Sequence, residues 1–169
     1  MLIHEMTRQE AIQFVAQTPL GRLACCLAGR PSVLPLFFAL DGTSLFSFSS
    51  LGRKIAWMRQ NPLVCVEFER IENPQNWETV IVGGRFEELN EASQPGLQER
   101  AYRALQARPG WWEPGYATTE GLKAKRSSDP IYFRIVIDEV TGRRCRPETA
   151  QQPRSPQGWR HLFTSAALF

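Results

Sequence analysis

The dipeptide Asp41-Gly42 stands between two apolar runs, Ser32 to Leu40 and Thr43 to Ser49. Asp-Gly is a strong signal of a tight hairpin turn, and the runs beside it have the length of strands, so together they read as a β-hairpin. Gly21 to Leu27 reads as a strand before them, joined through the turn residues Ala28 to Pro31. Three consecutive antiparallel strands result. The middle one, Ser32 to Leu40, is too apolar to face water on either side.

The remaining punctuation fits the same architecture. Thr7 followed by Glu10 matches a capping box opening a helix over Arg8 to Ala16, with Ala11, Ile12, Phe14 and Val15 as its apolar face and Pro19 beyond its end. Arg53 to Gln60 reads as a short helix stopped by Asn61-Pro62, and Leu63 to Glu69 alternates Val64, Val66 and Phe68 against Leu63, Cys65 and Glu67. Trp77 to Leu89 is a long strand interrupted by Gly83-Gly84, where the missing side chains point to a bulge or a close backbone approach. Glu91 to Arg108 has helical spacing through Leu97, Ala101, Ala104 and Leu105; Ile131 to Ile137 is the last strand, turned out by Thr141-Gly142. Trp111 to Pro130 has no clear period, and its WWEPGY run can fold over a pocket or simply cap the core.

Six short, mostly antiparallel strands with helices at the start, middle and late in the chain predict a mainly β protein, a small barrel with peripheral helices. Residues 1–146 form one domain; 147–169 pass through the linker-like QQPRSPQG into the apolar GWRHLFTSAALF, which should dock on its own subunit or on a partner. With 169 residues, 43% hydrophobic and 11% aromatic, the chain can bury a sizeable core. Twenty basic against 17 acidic residues leave a formal +3, too small and dispersed for nucleic acid. The N-terminal MLIHEMTRQE lacks the apolar run of a secretory segment, and there are nowhere eighteen consecutive apolar residues, so no membrane span and a cytoplasmic location are expected. Cys25, Cys26, Cys65 and Cys145 have no metal-type spacing; buried reduced thiols are the plainer reading, a redox pair the alternative.

Chemistry concentrates in LFSFSSLGRK, Leu45 to Lys54. A strand ends in the hydroxyls of Ser49 and Ser50, Leu51-Gly52 turns, and Arg53 and Lys54 bring positive charge to a helix start whose first N–H groups lack intrahelical partners. Such a place suits a dianionic phosphate, although taken alone it is also an ordinary basic helix start. No GxGxxG or GxxxxGK[ST] loop follows a strand, no GxSxG elbow is present, neither His4 nor His161 sits beside a nucleophile, and Glu87-Glu88 and Glu67/Glu69 read as solvated strand edges.

With its flanks, GRLACCLAGRPSVLPLFFALDGTSLFSFSS upstream and IAWMRQNP, LVCVEFE and NWETVIVGGRFEEL downstream, this order resembles the pyridoxamine 5'-phosphate oxidase-like flavoproteins, closest to the short bacterial branch of nitroimidazole-resistance (Nim) proteins. The resemblance covers about Glu5 to Arg144, its specific motifs Gly21 to Leu89. It implies a six-stranded Greek-key split barrel, assembled as a homodimer with a flavin mononucleotide (FMN) at each of two interface clefts. Carried onto this sequence, it sets the FMN phosphate against Ser49, Ser50, Arg53 and Lys54 and runs Val33, Leu34, Pro35 and Leu36 beside the ring. Pro35, unable to donate to a ladder, marks a sheet edge or bulge there. It also turns Thr79 toward the cofactor and brings Trp77 near it, unless Trp77 is only a core aromatic.

Two departures narrow what the resemblance implies. Nim relatives usually have a histidine near the flavin where this chain has Phe48, and the Arg-x-His substrate motif of true pyridoxamine phosphate oxidases is absent from GWRHLF. Histidine-ligated haem at that position and vitamin B6 oxidation are therefore not expected, and no catalytic residue or metal ligand can be named. The expected activity is that of an oxidoreductase passing electrons from a reduced nicotinamide through FMN to a small acceptor such as a nitroaromatic or quinone. The alternatives are a non-enzymatic flavin-binding or redox-sensing module and a deazaflavin-using relative.

Overall fold

A computed structural model of the chain describes residues 2–92, 94–107 and 130–147. In chain order the elements are β1 (Leu2–Glu5), α1 (Arg8–Gln17), β2 (Leu20–Leu27), β3 (Arg30–Phe37), β4 (Ala39–Asp41), β5 (Ser44–Ser49), α2 (Arg53–Gln60), β6 (Leu63–Asn73), β7 (Asn76–Glu88), α3 (Leu97–Gln106) and β8 (Ile131–Arg146). All strand pairs are antiparallel, in the order β3-β2-β6-β7-β8-β5-β4, with β1 added to β8. The six long strands form a mainly β Greek-key split barrel, and β1 and β4 are short additions. The barrel closes over a core in which Leu23, Phe38, Leu45, Val66, Phe68, Val82, Phe133 and Ile135 are fully buried.

The local signals act as their chemistry dictates. Thr7 Oγ1 accepts the Glu10 N–H at 3.3 Å while the Glu10 carboxylate accepts the Thr7 N–H at 2.8 Å, closing the capping box of α1, which buries Ala11, Phe14 and Val15. Gly83-Gly84 marks a register shift against β8, and a Cβ on Gly84 would lie 2.3 Å from the Val136 carbonyl oxygen. The residue is glycine because two backbones meet there. Cys25 is buried and Cys26 half-buried, on opposite faces of β2, and the four cysteines are all free thiols.

Three expectations are corrected, and one strand is added. Ser32 to Leu40 breaks at Phe38, whose N–H donates to the Pro19 carbonyl, into β3 and β4; β3 alternates rather than being covered on both sides, leaving Val33 62% exposed. The last strand does not turn out at Thr141-Gly142 but runs through it to Arg146, because Gly142 lets Met6 approach, accepting its N–H at 2.9 Å. The late helix starts at Leu97 rather than Glu91, since Pro95 precedes and Gly96 takes φ +75° as its N-cap. Strand β1, too short and exposed to signal itself, gains its ladder from β8, more than 130 residues on, with Leu2 opposite Arg146. The readings of Trp111 to Pro130 as a lid or cap and of 147–169 as a tail fall almost wholly outside the described residues.

Candidate functional site

The strand-to-helix junction at residues 49–54 is built from both sides. Side chains of β5 alternate: Ser47 donates to the Phe37 carbonyl at 2.8 Å, and Ser49, 4% exposed, donates to the Ser50 carbonyl at 3.1 Å. Gly52 is the N-cap of α2 and offers no side chain, so no side-chain hydrogen bond closes the helix mouth. The Arg53 guanidinium lies 5.4 Å from the ring centroid of Trp57, one turn along the helix. Ile55 and Met58, both fully buried, bolt the helix to the barrel. The result is the Ser50 hydroxyl, uncapped first-turn backbone donors and two cations in one turn of chain, with the Ser49 hydroxyl tied to the Ser50 carbonyl beneath them: the donor set of an oxyanion site.

The edge of β3 lies toward the same end. Burial pushes the Cys25 thiol pKa up, the neighbouring Cys26 adds to this, and Arg53 and Lys54 pull it down, so both cations act on β2 at the residue paired with Ser32 of β3. Among the described residues β3 pairs with β2 alone, and their register is unbroken from Leu20 opposite Phe37 to Leu27 opposite Arg30. Pro31 and Pro35 have no N–H to give β2, so their pairs are the non-hydrogen-bonded ones, and Val33 between them belongs to the same set. Its N–H and carbonyl, with the carbonyls of Pro31 and Pro35, therefore face the open edge, while the side chains of Leu34 and Leu36 turn inward. The proline does mark a sheet edge.

Trp77 and Thr79 are elsewhere in the same chain. They sit on β7, separated from β3 by β2 and β6, about 14 Å at three strand spacings. The Thr79 hydroxyl donates to Glu67 at 3.4 Å and lines an outer-face cavity of about 540 Å³ with Ile81, Thr141 and Arg143. Trp77 is half-buried and borders a separate hollow of about 390 Å³, where Glu78 is held between Arg70 at 3.4 Å and Arg146 at 3.2 Å. One subunit thus brings Val33, Leu34, Pro35, Leu36, Ser49, Ser50, Arg53 and Lys54 to one end of the barrel and leaves Trp77 and Thr79 on its outer wall. That wall exposes large apolar residues among its charges: Val33, Leu63 and Ile81 are 62%, 63% and 47% exposed, and Leu20 and Ile71 join them.

Phe48 points away from the junction. Its ring packs beneath α3 with Ala39 and Leu105, 5.8 Å from the Tyr132 ring. Asn61, expected only as a helix stop, and Arg59, given no role by the sequence, anchor the helix of the junction. The Asn61 amide donates to the Cys26 carbonyl at 2.8 Å, and Arg59 makes a two-pronged ion pair with Glu88 at 2.8 and 2.9 Å. An Asn before Pro at a helix end was the available signal for Asn61; nothing local foretold Glu88. Among the described residues no cluster of three or more His, Cys, Asp or Glu could hold a metal ion, and no helix is long and apolar enough to cross a membrane.

A barrel of this order, with a basic helix mouth beside a proline-marked strand edge, defines a class, and comparison with known proteins agrees. The family model described as pyridoxamine 5'-phosphate oxidase matches residues 7–144, and the chain belongs to that family. An uncharacterised protein of Rhizobium meliloti is 38% identical over 145 residues, 85% of this chain and 95% of that one. Among solved structures, a FAD-binding protein of Mesorhizobium loti is 32% identical, with a TM-score of 0.70, over 87% of this chain and 99% of its own. A proposed 5-nitroimidazole antibiotic resistance protein of Bacteroides thetaiotaomicron shares the fold at 16% identity, with a TM-score of 0.60 and 85% and 89% of the chains covered.

Proposed function

We propose that this protein binds a flavin nucleotide at the junction of β5 and α2 and works as an oxidoreductase, taking electrons from a reduced nicotinamide and giving them to a small acceptor such as a nitroaromatic or quinone. The observation that carries this is the uncapped start of α2, where Ser49, Ser50, Arg53 and Lys54 gather beside an open strand edge. The serines and the first-turn N–H groups bind the phosphate, and the two cations neutralise it. Backbone groups of Val33 and its proline neighbours suit the alternating acceptor and donor edge of a flavin ring, with Leu34 and Leu36 packing beneath. When bound, the flavin supplies the hydride and electron chemistry. The chain's own part is to orient the ring and exclude bulk water.

Two chains make the cleft in this reading. Trp77 and Thr79 are too far along the sheet to meet the flavin of their own subunit, and they lie on the outer wall that a second copy would cover. A symmetric dimer through that wall brings them to the partner's cofactor. Domain 1–146 is the binding unit, with 147–169 an appendage to it.

FMN is the cofactor proposed. FAD is the second reading, favoured by the FAD-binding relative from Mesorhizobium loti at 32% identity. An absorbance spectrum of the purified protein, followed by the mass of the released cofactor, tests both: flavin bands with the mass of FMN uphold the first, and the mass of FAD the second. A deazaflavin mass or a protein that stays colourless after FMN and FAD addition overturns both. NADH or NADPH oxidation by the holoprotein, with and without a nitroaromatic or quinone, then separates an oxidoreductase from a flavin-storing module.

A further inference from the structure

We infer that the ion pair Arg59–Glu88 is a positioning device for the phosphate grip, acting on the nucleotide from the far end of α2 without touching it; this rests on the flavin reading above. Helix α2 has eight residues and rests on the barrel through the buried Ile55 and Met58 and the half-buried Trp57. These apolar contacts hold the helix against the barrel without a directional bond. Two polar anchors at its C-terminal end supply direction. Asn61 reaches the Cys26 carbonyl on β2, and Arg59 reaches Glu88 at the end of β7. Since β6 lies between β2 and β7, the anchors hold opposite sides of the strand that α2 runs into. The free end of the lever is the mouth at Arg53, where binding groups need to keep their orientation to within roughly 10 to 20°. Arg59 and Glu88 side chains are 47% and 34% exposed, so their pairing adds little to global stability; its two-pronged geometry fixes direction instead.

The test compares FMN with riboflavin, which carries the same ring and no phosphate, for wild type, Arg59→Met, Glu88→Gln and the charge-swapped Arg59→Glu/Glu88→Arg. Each single variant should weaken FMN about tenfold, as loosening one charge-assisted contact would, and riboflavin by less than about twofold, with Tm nearly unchanged. The swapped pair should recover most of the FMN affinity. Parallel loss of both ligands, or FMN affinity unchanged in both single variants, overturns the positioning role. Arg53→Ala/Lys54→Ala serves as the control: it should abolish the preference for FMN over riboflavin. If it does so while the Arg59 and Glu88 variants keep that preference, only the positioning inference falls. If the control itself keeps the preference, the phosphate reading falls, and this inference with it.

Discussion

Ala28 carries φ 49°, the positive value otherwise taken among the described residues by glycines, at the first position of the Ala28-Gly29 turn between β2 and β3. An alanine Cβ in that region crowds its own backbone, whereas asparagine tolerates it and Asn-Gly is the favoured pair for such a turn. Ala28→Asn should therefore stabilise the protein by about 0.5 to 1 kcal/mol, read as a raised denaturant midpoint at constant slope; an unchanged or lowered midpoint would mean that the turn is not strained. At the other end of the barrel, the Glu10 pKa is lowered from its usual 4.5 to about 2, chiefly by the Thr7 backbone N–H, then by the Thr7 hydroxyl and Arg144. A depressed carboxylate pKa stabilises the fold fully above the unfolded value and loses that effect as pH falls through the folded one. Glutamine keeps an acceptor there but no charge. The stability gap between wild type and Glu10→Gln should thus be full above pH 4.5 and close as pH falls toward 2; circular dichroism unfolding curves showing a constant gap would contradict it. Both the capping box and the turn were legible as residue patterns, because each is a contract between neighbours in sequence. The direction of Phe48 was not. Alternation along β5 says that Phe48 and Ser49 oppose each other, but only the packing of α3 says which side is covered.

At the scale of elements, α2 shows how a short helix becomes a binding device: its C-terminal half is anchored by side chains while its N-terminus is left uncapped. Capping residues ordinarily occupy the position held by Gly52, and their absence keeps the first-turn donors available to a ligand. Two charge-assisted contacts to a phosphate at roughly 1.5 to 3 kcal/mol each imply that Arg53→Ala/Lys54→Ala weakens FMN by roughly a hundredfold or more, at one tenfold per ~1.4 kcal/mol. The fold should survive, since neither side chain is among the buried core residues. Titration of the apoprotein by flavin fluorescence checks this, and unchanged affinity in a folded variant would remove the junction from the site. The helix, its stop at Asn61-Pro62 and the glycine bulge of β7 were readable because each is punctuated locally. The extent of β8 was not, since Thr141-Gly142 has turn composition and the close approach of Met6 and Val80 explains a glycine in mid-strand. Elements whose boundaries depend on a distant chain segment send no signal of their own.

For the whole molecule, the outer wall of β3, β2, β6 and β7 is the feature that the described residues of one chain leave unexplained. Inward residues such as Leu23, Val66, Phe68, Val80 and Val82 are fully buried, as the alternation requires, yet outward positions carry Leu20, Val33, Leu63, Ile71 and Ile81 where a solvated sheet would be polar. The sequence showed those residues but gave no means of telling an outward apolar residue from an inward one until the register was known. Charged groups are interspersed: Arg22 pairs with Glu69, and Glu67 lies opposite Ile81, so the wall has the mixed texture of an interface rather than of a core. If two copies meet there and share their flavins, assembly and cofactor retention are one equilibrium. Ile81→Asp tests this, because Ile81 is already 47% exposed in one chain and the change should cost the isolated subunit no more than about 1 kcal/mol. In a dimer it would bury an unpaired carboxylate beside Glu67, raising the dissociation constant about a hundredfold or more. Sedimentation should find wild type dimeric at micromolar concentration and Ile81→Asp largely monomeric, with flavin released in step because Trp77 and Thr79 no longer reach the partner's ring. A wild type that sediments as a monomer with flavin bound, or an Ile81→Asp dimer that is as tight as wild type, would show that this wall is not where the second copy sits.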